Sequence, residues 1–326
     1  MTVKKWRITS LVLIAVLLVG GSVYFWISKN TDIQLPIKLG FHASQKSSAK
    51  LKTVNNNKIQ IAHIFVIMEE NQPGNVIIGN SANAPYINSL INQYSVATNY
   101  FSVTHPSLPN YLAITSGSTD GITYDCNPPA AGCMLNVPNI ADRIESSGRT
   151  WKEYAESMPS ACYMYNYGDY ATKHNPFVYY SDIANNKARC DNHVVPFTQL
   201  STDLKSLSTT PDFAFITPNL CNDMHNCSVE VGDYWLSKYV PMILNSKAFT
   251  SQPSLLFITW DEGDSTNNNV AMIVAGSAAK TKYVSNAKYD HYSLLSTIET
   301  LWKLKPLTSN DKIAPPMLDL INPKDL

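Results

Sequence analysis

Four nearly continuous apolar runs divide the chain, and each has the length and composition of a buried strand. They lie at 59–68, 212–217, 254–260 and 270–275, and they are rich in Ile, Val and Phe. Continuous apolar runs of this length are typical of strands that are covered on both faces of a parallel sheet. Segments of helical period separate them. The pattern therefore predicts an α/β fold with a central, mostly parallel sheet and helices on both faces.

Six segments with helical period are the predicted helices. They lie at 84–94, 110–115, 139–147, 197–207, 234–244 and 293–303. The stretch from about 120 to 192 contains four cysteines and many Tyr, Asn and Pro residues. This composition predicts an insertion or cap that disulfides staple to the rest of the domain. The folded domain as a whole is predicted to span residues 59–326.

The longest uncharged apolar segment lies near the N-terminus, at residues 8–28. A run of about 20 such residues can span a bilayer as a helix, and the basic residues before it predict a cytoplasmic N-terminus at residues 1–7. Residues 29–58 are rich in Lys, Ser and Asn, which is typical of a flexible stalk. Together these features predict a single-pass protein of the cell membrane with an extracytoplasmic folded domain. The alternative is a cleaved signal peptide and a secreted protein.

The cysteines and the net charge narrow the class of protein further. An even number of cysteines in an exported chain favours disulfides, and proximity in the sequence predicts the pairs Cys126–Cys133, Cys162–Cys190 and Cys221–Cys227. A zinc site is the alternative, but no C-x-x-C pair is present. The 25 basic and 25 acidic residues balance, so there is no bulk charge that would attract nucleic acid.

Polar side chains collect where the predicted strands end. Open α/β sheets bind ligands at the carboxyl ends of their strands. The polar residues at these ends are Glu70, Asn71, Asp223, His225, Asp261 and Glu262, and His291 comes directly before the last predicted helix. Each of them alone would be an ordinary polar turn. Their shared position predicts one functional site.

The residue types in this set indicate a divalent metal ion. Glu70, Asn71, Asp261 and Glu262 offer mainly oxygen atoms, which favour Mg²⁺, Ca²⁺ or Mn²⁺. Asp223, His225 and His291 add imidazole groups, which suit zinc or iron if a second ion is present. Two ions could clamp the attacking and leaving oxygens of a phosphoryl group. A single ion with histidines as hydrogen-bond donors would also serve.

A segment rich in hydroxyl groups, residues 100–121, lies between one apolar stretch and the next. Ser107 stands at the predicted start of a helix, and serine is a favoured capping residue there. A hydroxyl beside a base or a metal would instead be a nucleophile. The residues of this segment leave both roles of Ser107 open, with Thr104 as the alternative nucleophile.

Five short motifs, taken in order, resemble one protein family. They are Met68-Glu-Glu-Asn71, Ser107-Leu-Pro-Asn-Tyr111, Thr217-Pro-Asn-Leu-Cys-Asn-Asp-Met-His225, Trp260-Asp-Glu-Gly263 and His291-Tyr-Ser-Leu-Leu295. In this order they resemble the phosphoesterase family that includes bacterial acid phosphatases and phospholipases C. The fold of that family is similar to the alkaline phosphatase superfamily. The resemblance covers about residues 61–321.

The resemblance implies a role for each group of residues. It implies that a metal is bound by Glu70, Asn71, Asp261 and Glu262. It implies that Ser107 is a nucleophile that becomes transiently phosphorylated and that Asn110 contacts the phosphoryl oxygens. The candidates for the proton donor to the leaving oxygen are His105, His225 and His291.

The chain also departs from the two-zinc phosphatases of the superfamily. Glu262 stands where they carry a histidine, and Glu70-Asn71 stands where they carry a lone aspartate. Asp223, His225 and His291 match the second metal site of those enzymes only loosely, so phosphate binding is the alternative role for these three.

These observations predict a metal-dependent extracytoplasmic phosphoesterase that acts through a phosphoserine. The simplest form is a phosphomonoesterase of the acid phosphatase type, with a small-molecule or lipid phosphate ester as its substrate. A phospholipase C-like phosphodiesterase is the first alternative, and sulfate-ester hydrolysis is another. The alternative of a different class is a non-catalytic binding module at the cell surface.

Overall fold

A computed structural model describes residues 60–129, 132–264 and 268–326, and also two strands near the N-terminus. These strands, β1 (Ala15–Val19) and β2 (Ser22–Trp26), pair antiparallel and belong to a unit of residues 1–55. The sequence predicts part of a membrane-spanning helix for these ten residues, and that helix stays a prediction. They are rich in β-branched and aromatic residues, which favour strands.

The other residues of the predicted N-terminal segments, 1–7, the rest of 8–28 and all of 29–58, lie outside the described residues. Within the described part of the chain, no helix combines the length and the apolar character needed to cross a membrane.

One sheet organises the second unit, residues 56–326. Its nine described strands are β3 (His63–Glu69), β4 (Ser95–Phe101), β5 (Trp151–Ala155), β6 (Val194–Pro196), β7 (Phe213–Thr217), β8 (Ser254–Trp260), β9 (Asn269–Ala275), β10 (Tyr283–Ser285) and β11 (Tyr289–Asp290). Their order is β10-β4-β9-β8-β3-β7-β5-β6, and β11 also pairs with β4. Strand β9 is antiparallel to both of its neighbours, and the other pairs are parallel. This confirms the predicted α/β fold with a mostly parallel sheet.

Helices cover both faces of the sheet, and every residue of β3 and of β8 is buried. The α-helices of the described chain are α1 (Gly74–Ile77), α2 (Pro85–Gln93), α3 (Ser107–Ser116), α4 (Ile140–Ser146), α5 (Ser181–Ala184), α6 (Lys187–His193), α7 (Leu200–Asp203), α8 (Val229–Leu244), α9 (Lys247–Ser251), α10 (His291–Trp302) and α11 (Ser309–Ile313). Short 3₁₀ helices lie at Thr172–His174, Pro176–Tyr179, Phe197–Gln199, Leu318–Leu320 and Pro323–Asp325.

Residues 120–192, predicted to be an insertion or cap, contribute to the main sheet. Strand β5 lies within this stretch, between β7 and β6. Its pattern escaped detection because Lys152 and Glu153 interrupt the apolar residues, although Glu153 is itself buried. The three disulfides are Cys126–Cys133, Cys162–Cys190 and Cys221–Cys227. They confirm the pairing predicted from proximity.

The strand directions explain where the functional residues lie. Strands β3, β7 and β8 are parallel, and β4 runs the same way because it is antiparallel to β9, which is antiparallel to β8. The carboxyl ends of all four strands therefore lie at one edge of the sheet. Glu70 follows β3, Asp261 follows β8, and helix α3 follows β4 at this edge.

Candidate active site

Ser107 is the first residue of α3, a helix whose ten residues are all buried. Pro106 takes the N-cap position without a side-chain hydrogen bond, and Gly117, at φ +76°, ends the helix in the left-handed conformation that glycine tolerates best. The Ser107 hydroxyl donates to Glu70 Oε2 over 3.0 Å. The hydroxyl therefore hydrogen-bonds a carboxylate and does not cap the helix. The alternative nucleophile, Thr104, donates to the carbonyl oxygen of His105 over 3.1 Å.

Glu70 stands at the centre of the predicted oxygen ligands. Its Oε1 accepts a hydrogen bond from the Tyr111 hydroxyl, one helical turn beyond Ser107. Asn71 adopts φ +50°, a left-handed conformation that asparagine tolerates, and its backbone N–H donates to Asp261 Oδ1 over 3.1 Å. The structure thus brings Glu70, Asn71, Ser107 and Asp261 together, as predicted.

The Asn71 side-chain amide also faces these carboxylates. One of its terminal atoms lies 2.9 Å from Glu70 Oε2 and 3.1 Å from Asp261 Oδ1. With its nitrogen in this position, the amide donates a hydrogen bond to each carboxylate. With its oxygen there, it would join them as a third oxygen ligand around a cation, because only a cation could hold three such oxygens together.

His174, which the sequence analysis missed, joins Asp223 to this group. Its Nε2 lies 3.2 Å from Glu70 Oε1, and its Nδ1 lies 3.2 Å from Asp223 Oδ2. The ring stacks on Tyr111 with 5.4 Å between centroids. Ligand atoms of Glu70, His174 and His225 all lie within 4.8 Å of one another, so these three residues could hold a metal ion. The predicted site residue His225 therefore lies beside His174, which the sequence did not predict as part of the site.

The position of His174 was hidden by its sequence context. It follows no apolar strand but lies in the tyrosine-rich stretch, in the 3₁₀ helix Thr172–His174, which packs on α3. The available hint was a histidine next to Lys173 and just ahead of the buried run 176–180. Tyr111 is the last residue of the motif Ser107–Tyr111, but the sequence predicted no role for it.

Burial raises the pKa values of the four carboxyl groups of the site. Burial is the largest cause in each case, and it raises the pKa of Glu70 well above its usual range, that of Asp261 to about 8, and those of Asp223 and Glu262 to about 7. Neighbouring carboxylates add to the shift. No described residue hydrogen-bonds Asp261 Oδ2, although this atom is buried. We call Glu70, Asp223, Asp261 and Glu262 the carboxylate cluster.

Glu262 and His105 form a pair at the exposed side of the carboxylate cluster. His105 Nδ1 lies 2.6 Å from Glu262 Oε2. The His105 side chain is 39% exposed, whereas the Glu262 side chain is 9% exposed. A carboxylate in this position orients the imidazole ring and fixes which nitrogen faces outward.

His291 is fully buried, and both of its ring nitrogens contact the protein itself. Nε2 lies 2.6 Å from the backbone oxygen of Asp261, and Nδ1 lies 2.9 Å from the Tyr100 hydroxyl. Burial lowers the pKa of His291 to about 4, so the ring is neutral at pH 7. The contacts give His291 a role in positioning Asp261. Its predicted part in proton transfer or phosphate binding stays a prediction.

Asn110 uses its side-chain amide to shape the loop before α3. Its Oδ1 accepts hydrogen bonds from the backbone N–H groups of Val103 and Thr104, and its Nδ2 donates to the backbone oxygens of Thr104 and Pro106. These bonds hold the loop that leads to Ser107. The predicted contact of Asn110 with phosphoryl oxygens stays a prediction.

The site combines a serine and buried carboxylates, and the fold is similar to that of the alkaline phosphatase superfamily. One structural neighbour is a protein of the alkaline phosphatase superfamily from Vibrio parahaemolyticus, with a TM-score of 0.55 at 12% identity. The match covers 80% of this chain and 70% of that one, and it concerns the fold alone.

The sequence pattern of the Phosphoesterase family matches residues 80–305. A phosphatidylinositol-3-phosphatase of Mycobacterium tuberculosis is 34% identical over 79% of this chain and 82% of its own length. A phosphate-repressible acid phosphatase of Penicillium chrysogenum is 32% identical over 68% of this chain, but the match spans only 55% of that enzyme. The chain belongs to the phosphoesterase family. This confirms the resemblance and the predicted enzyme class, a hydrolase acting on phosphoric ester bonds.

Proposed function

We propose that this protein is a metal-dependent phosphomonoesterase that works through a phosphoserine at Ser107. The observation that carries the proposal is the 3.0 Å hydrogen bond from the Ser107 hydroxyl to Glu70 Oε2, inside the carboxylate cluster. A serine hydroxyl is a weak nucleophile until a base or a metal activates it. Here the base candidate is already in contact with the hydroxyl.

The residues of the site fit a divalent cation. Four carboxyl groups lie close together, while one of their oxygens, Asp261 Oδ2, is buried without a hydrogen bond from the described residues. Buried carboxylates of this kind need protons, paired cations or a metal. Glu70, Asn71, Asp261 and Glu262 would hold a hard ion, and Glu70, His174 and His225 would hold a second one. When bound, such an ion neutralises charge and polarises a phosphoryl oxygen.

The protein's own groups account for the proton transfers. Ser107 Oγ forms a bond to phosphorus while its proton passes to Glu70 Oε2 and the bond from phosphorus to the leaving oxygen breaks. His105, oriented by Glu262, gives a proton to that oxygen. In the second step, a water oxygen bonds to phosphorus and gives a proton to His105, the bond from phosphorus to Ser107 Oγ breaks, and Glu70 returns its proton to Ser107 Oγ. Inorganic phosphate is then released.

The relatives favour a monoester substrate. Two of them are named as a phosphatidylinositol-3-phosphatase and an acid phosphatase, and we propose a small-molecule or lipid-headgroup phosphomonoester for this chain. Phospholipase C-like cleavage of diesters is the alternative. A panel of p-nitrophenyl phosphate, bis-p-nitrophenyl phosphate, a phosphoinositide and phosphatidylcholine separates the two.

We also propose that the folded domain works outside the cytoplasm. The three disulfides support this location, because such bonds persist in oxidising compartments. Fractionation of cells that produce the protein tests the location.

The decisive experiment replaces Ser107 with alanine. We expect hydrolysis of p-nitrophenyl phosphate to fall at least about 1,000-fold, with circular dichroism unchanged. Ser116→Ala is the matched control, since Ser116 is also buried in α3 but donates to Leu112 and Asp120. Acid quenching during turnover should yield a peptide phosphorylated at Ser107 in the wild type. Wild-type hydrolysis by folded Ser107→Ala would overturn the proposal.

A further inference from the structure

Lys173 brings a positive charge to the otherwise acidic site. Its Nζ lies 2.9 Å from Asp125 Oδ2 and 3.4 Å from His225 Nε2. The Lys173 charge acts against the raised pKa values of Glu70, Asp223 and Glu262, which places the ammonium group within electrostatic reach of the carboxylate cluster. The side chain is only 13% exposed. The charge is therefore held at the site and is not solvated at the surface.

Asp125 joins this ammonium group to the helix that carries the nucleophile. While its Oδ2 contacts Lys173, its Oδ1 accepts a hydrogen bond from the backbone N–H of Leu108 over 3.1 Å. Leu108 follows Ser107 in the first turn of α3, where backbone N–H groups favour anions. One carboxylate thus spans a lysine and a helix N–H next to the nucleophile.

This arrangement of donors is suited to a phosphoryl group. Next to Ser107, the Lys173 ammonium group and the Leu108 N–H can each bind one oxygen of the same anion. Lysine binds phosphate as a point charge. Buried His174, next in sequence to Lys173, has its Nε2 3.2 Å from Glu70 Oε1, so this segment lies against the carboxylate cluster. Asp125 is the more exposed member of its pair, at 27% against 13% for Lys173. It can move toward solvent more readily than Lys173 can.

We propose that Lys173 Nζ and the Leu108 N–H form the subsite for phosphoryl oxygens, and that the Asp125 carboxylate occupies this subsite when no substrate is bound. The inference rests on the proposed phosphoesterase function and names the residues that hold its phosphate. A phosphate ester displaces Asp125 because it offers more negative charge to the same two donors. Asp125 then acts as an internal competitor that weakens the binding of substrate and of product phosphate.

The test compares two substitutions with opposite expected effects on the holoenzyme. Lys173→Met should raise the inhibition constant for inorganic phosphate about 10- to 100-fold, the loss of one charge-assisted hydrogen bond. Asp125→Asn should lower the same constant about 3- to 10-fold, because a neutral amide competes less well. The KM for p-nitrophenyl phosphate should move in the same directions, and kcat should change less than KM in Asp125→Asn.

A matched ion pair elsewhere in the chain supplies the controls. Lys152 Nζ lies 2.6 Å from Asp203 Oδ2, with both side chains mostly buried near the start of β5. Lys152→Met and Asp203→Asn should leave the phosphate inhibition constant unchanged even where they reduce stability. Lys173→Gln and Asp125→Ser replace the first two variants if either fails to fold.

The outcomes separate this inference from the proposed function. Opposite shifts in the two variants support the subsite with its internal competitor. A raised inhibition constant in both variants would mean that Asp125 only positions Lys173, and an unchanged constant in Asp125→Asn would mean that Asp125 does not compete; either result overturns the inference. Wild-type protein that hydrolyses no phosphate ester would instead remove the proposed function.

Discussion

Two groups of acidic side chains in this protein are built in opposite ways. Arg189 on α6 donates to Asp142, Glu145 and Asp182, each through a different nitrogen of one guanidinium group. We call these four residues the arginine cluster. In the carboxylate cluster around Ser107, four acids share the site with one lysine, which is itself paired with a further aspartate.

The difference separates a structural group of acids from a functional one. The five N–H donors of a guanidinium group can satisfy several carboxylate oxygens at once, so the arginine cluster contains its own counter-charge. The carboxylate cluster leaves Asp261 Oδ2 buried without a hydrogen bond from the described residues. A group of acids that lacks an internal counter-charge is prepared for an external one, and the proposed metal would supply it.

The largest expected effect comes from neutralising the centre of the carboxylate cluster. Glu70→Gln should reduce hydrolysis of p-nitrophenyl phosphate about 100- to 1,000-fold, since Ser107 loses its charged acceptor. In EDTA the same variant should be more stable than the wild type to denaturant, because one of the crowded carboxylates is gone. Glu145→Gln in the arginine cluster should keep activity and lose stability. A Glu70→Gln protein that is less stable than wild type in EDTA would contradict the distinction between the carboxylate cluster and the arginine cluster.

The disulfide near the arginine cluster and the disulfide near the carboxylate cluster should differ in the same way, one in stability and the other in activity. Cys162–Cys190 lies beside Arg189 and closes 28 residues, whereas Cys221–Cys227 closes 6 residues that include Asp223 and His225. Loop closure predicts a loss of about 3.6 kcal/mol for the Cys162→Ser/Cys190→Ser protein and about 2.2 kcal/mol for Cys221→Ser/Cys227→Ser. The second protein should nevertheless lose more activity at a temperature where both are folded. Urea titration and initial rates measure the two effects.

Divalent ions should stabilise the carboxylate cluster and leave the arginine cluster unaffected. At 100 times its dissociation constant, a bound ion should raise the free energy of unfolding by about 2.7 kcal/mol. Unfolding of the EDTA-treated protein with Mg²⁺, Ca²⁺, Mn²⁺ or Zn²⁺ measures this gain. Asp261→Asn should abolish it, and Asp142→Asn should retain it. Wild-type stability that no ion increases would argue against a metal site.

Removing Arg189 should lower the free energy of unfolding and leave catalytic activity unchanged. Arg189→Met removes one charged donor from each of three carboxylates, and we expect a loss of about 1 to 3 kcal/mol, moderated because those carboxylates are 30–38% exposed. Lys187→Met, on the same helix but 87% exposed, should change stability by less than about 0.5 kcal/mol. Denaturant titrations give both values, and kcat/KM should remain near wild type. A large activity loss in Arg189→Met would show that the two clusters are coupled.

At a third acidic group, Glu299 and Asp311, burial outweighs the charge of the nearby Arg143. Burial, and then the charge of Asp311, raise the pKa of Glu299 to about 9. The folded protein therefore keeps a proton on Glu299 that the unfolded chain releases above about pH 4.5. This group makes stability fall as pH rises from 4.5 toward 9.

Glu299→Gln should remove this pH dependence. It should stabilise the protein by about 1 kcal/mol or more at pH 8 relative to wild type, and by little at pH 5. Urea unfolding at both pH values measures the difference, with exposed Glu230→Gln as the control. An equal effect of Glu299→Gln at both pH values would contradict the assignment.

The sequence predicted those parts of the site that follow strands. Glu70 and Asp261 come directly after buried apolar runs, and a parallel sheet has to bring such ends together. His174 and Tyr111 could not be placed in this way, because their contact with Glu70 depends on the packing of a 3₁₀ helix against α3. Likewise, residue type alone does not reveal that Asn110 and His291 form hydrogen bonds with the backbone.

The errors in the fold have equally local causes. Strand β5 was missed because its apolar pattern is broken by Lys152 and Glu153, yet pairing with β7 overrides that pattern. The membrane helix predicted for segment 8–28 stays a prediction, because hydropathy supports it while ten of its residues pair as strands. Composition alone cannot choose between the two.

The complete burial of α3 has a consequence for how the enzyme would lose activity. A helix with one exposed face can fray or open locally, and a catalytic group on it is then lost before the protein unfolds. Ser107 begins a helix with no exposed residue, so it can leave its place only when the surrounding core opens. Thermal inactivation and cooperative unfolding should therefore coincide, and the amide protons of α3 should exchange with the slowest class in the protein.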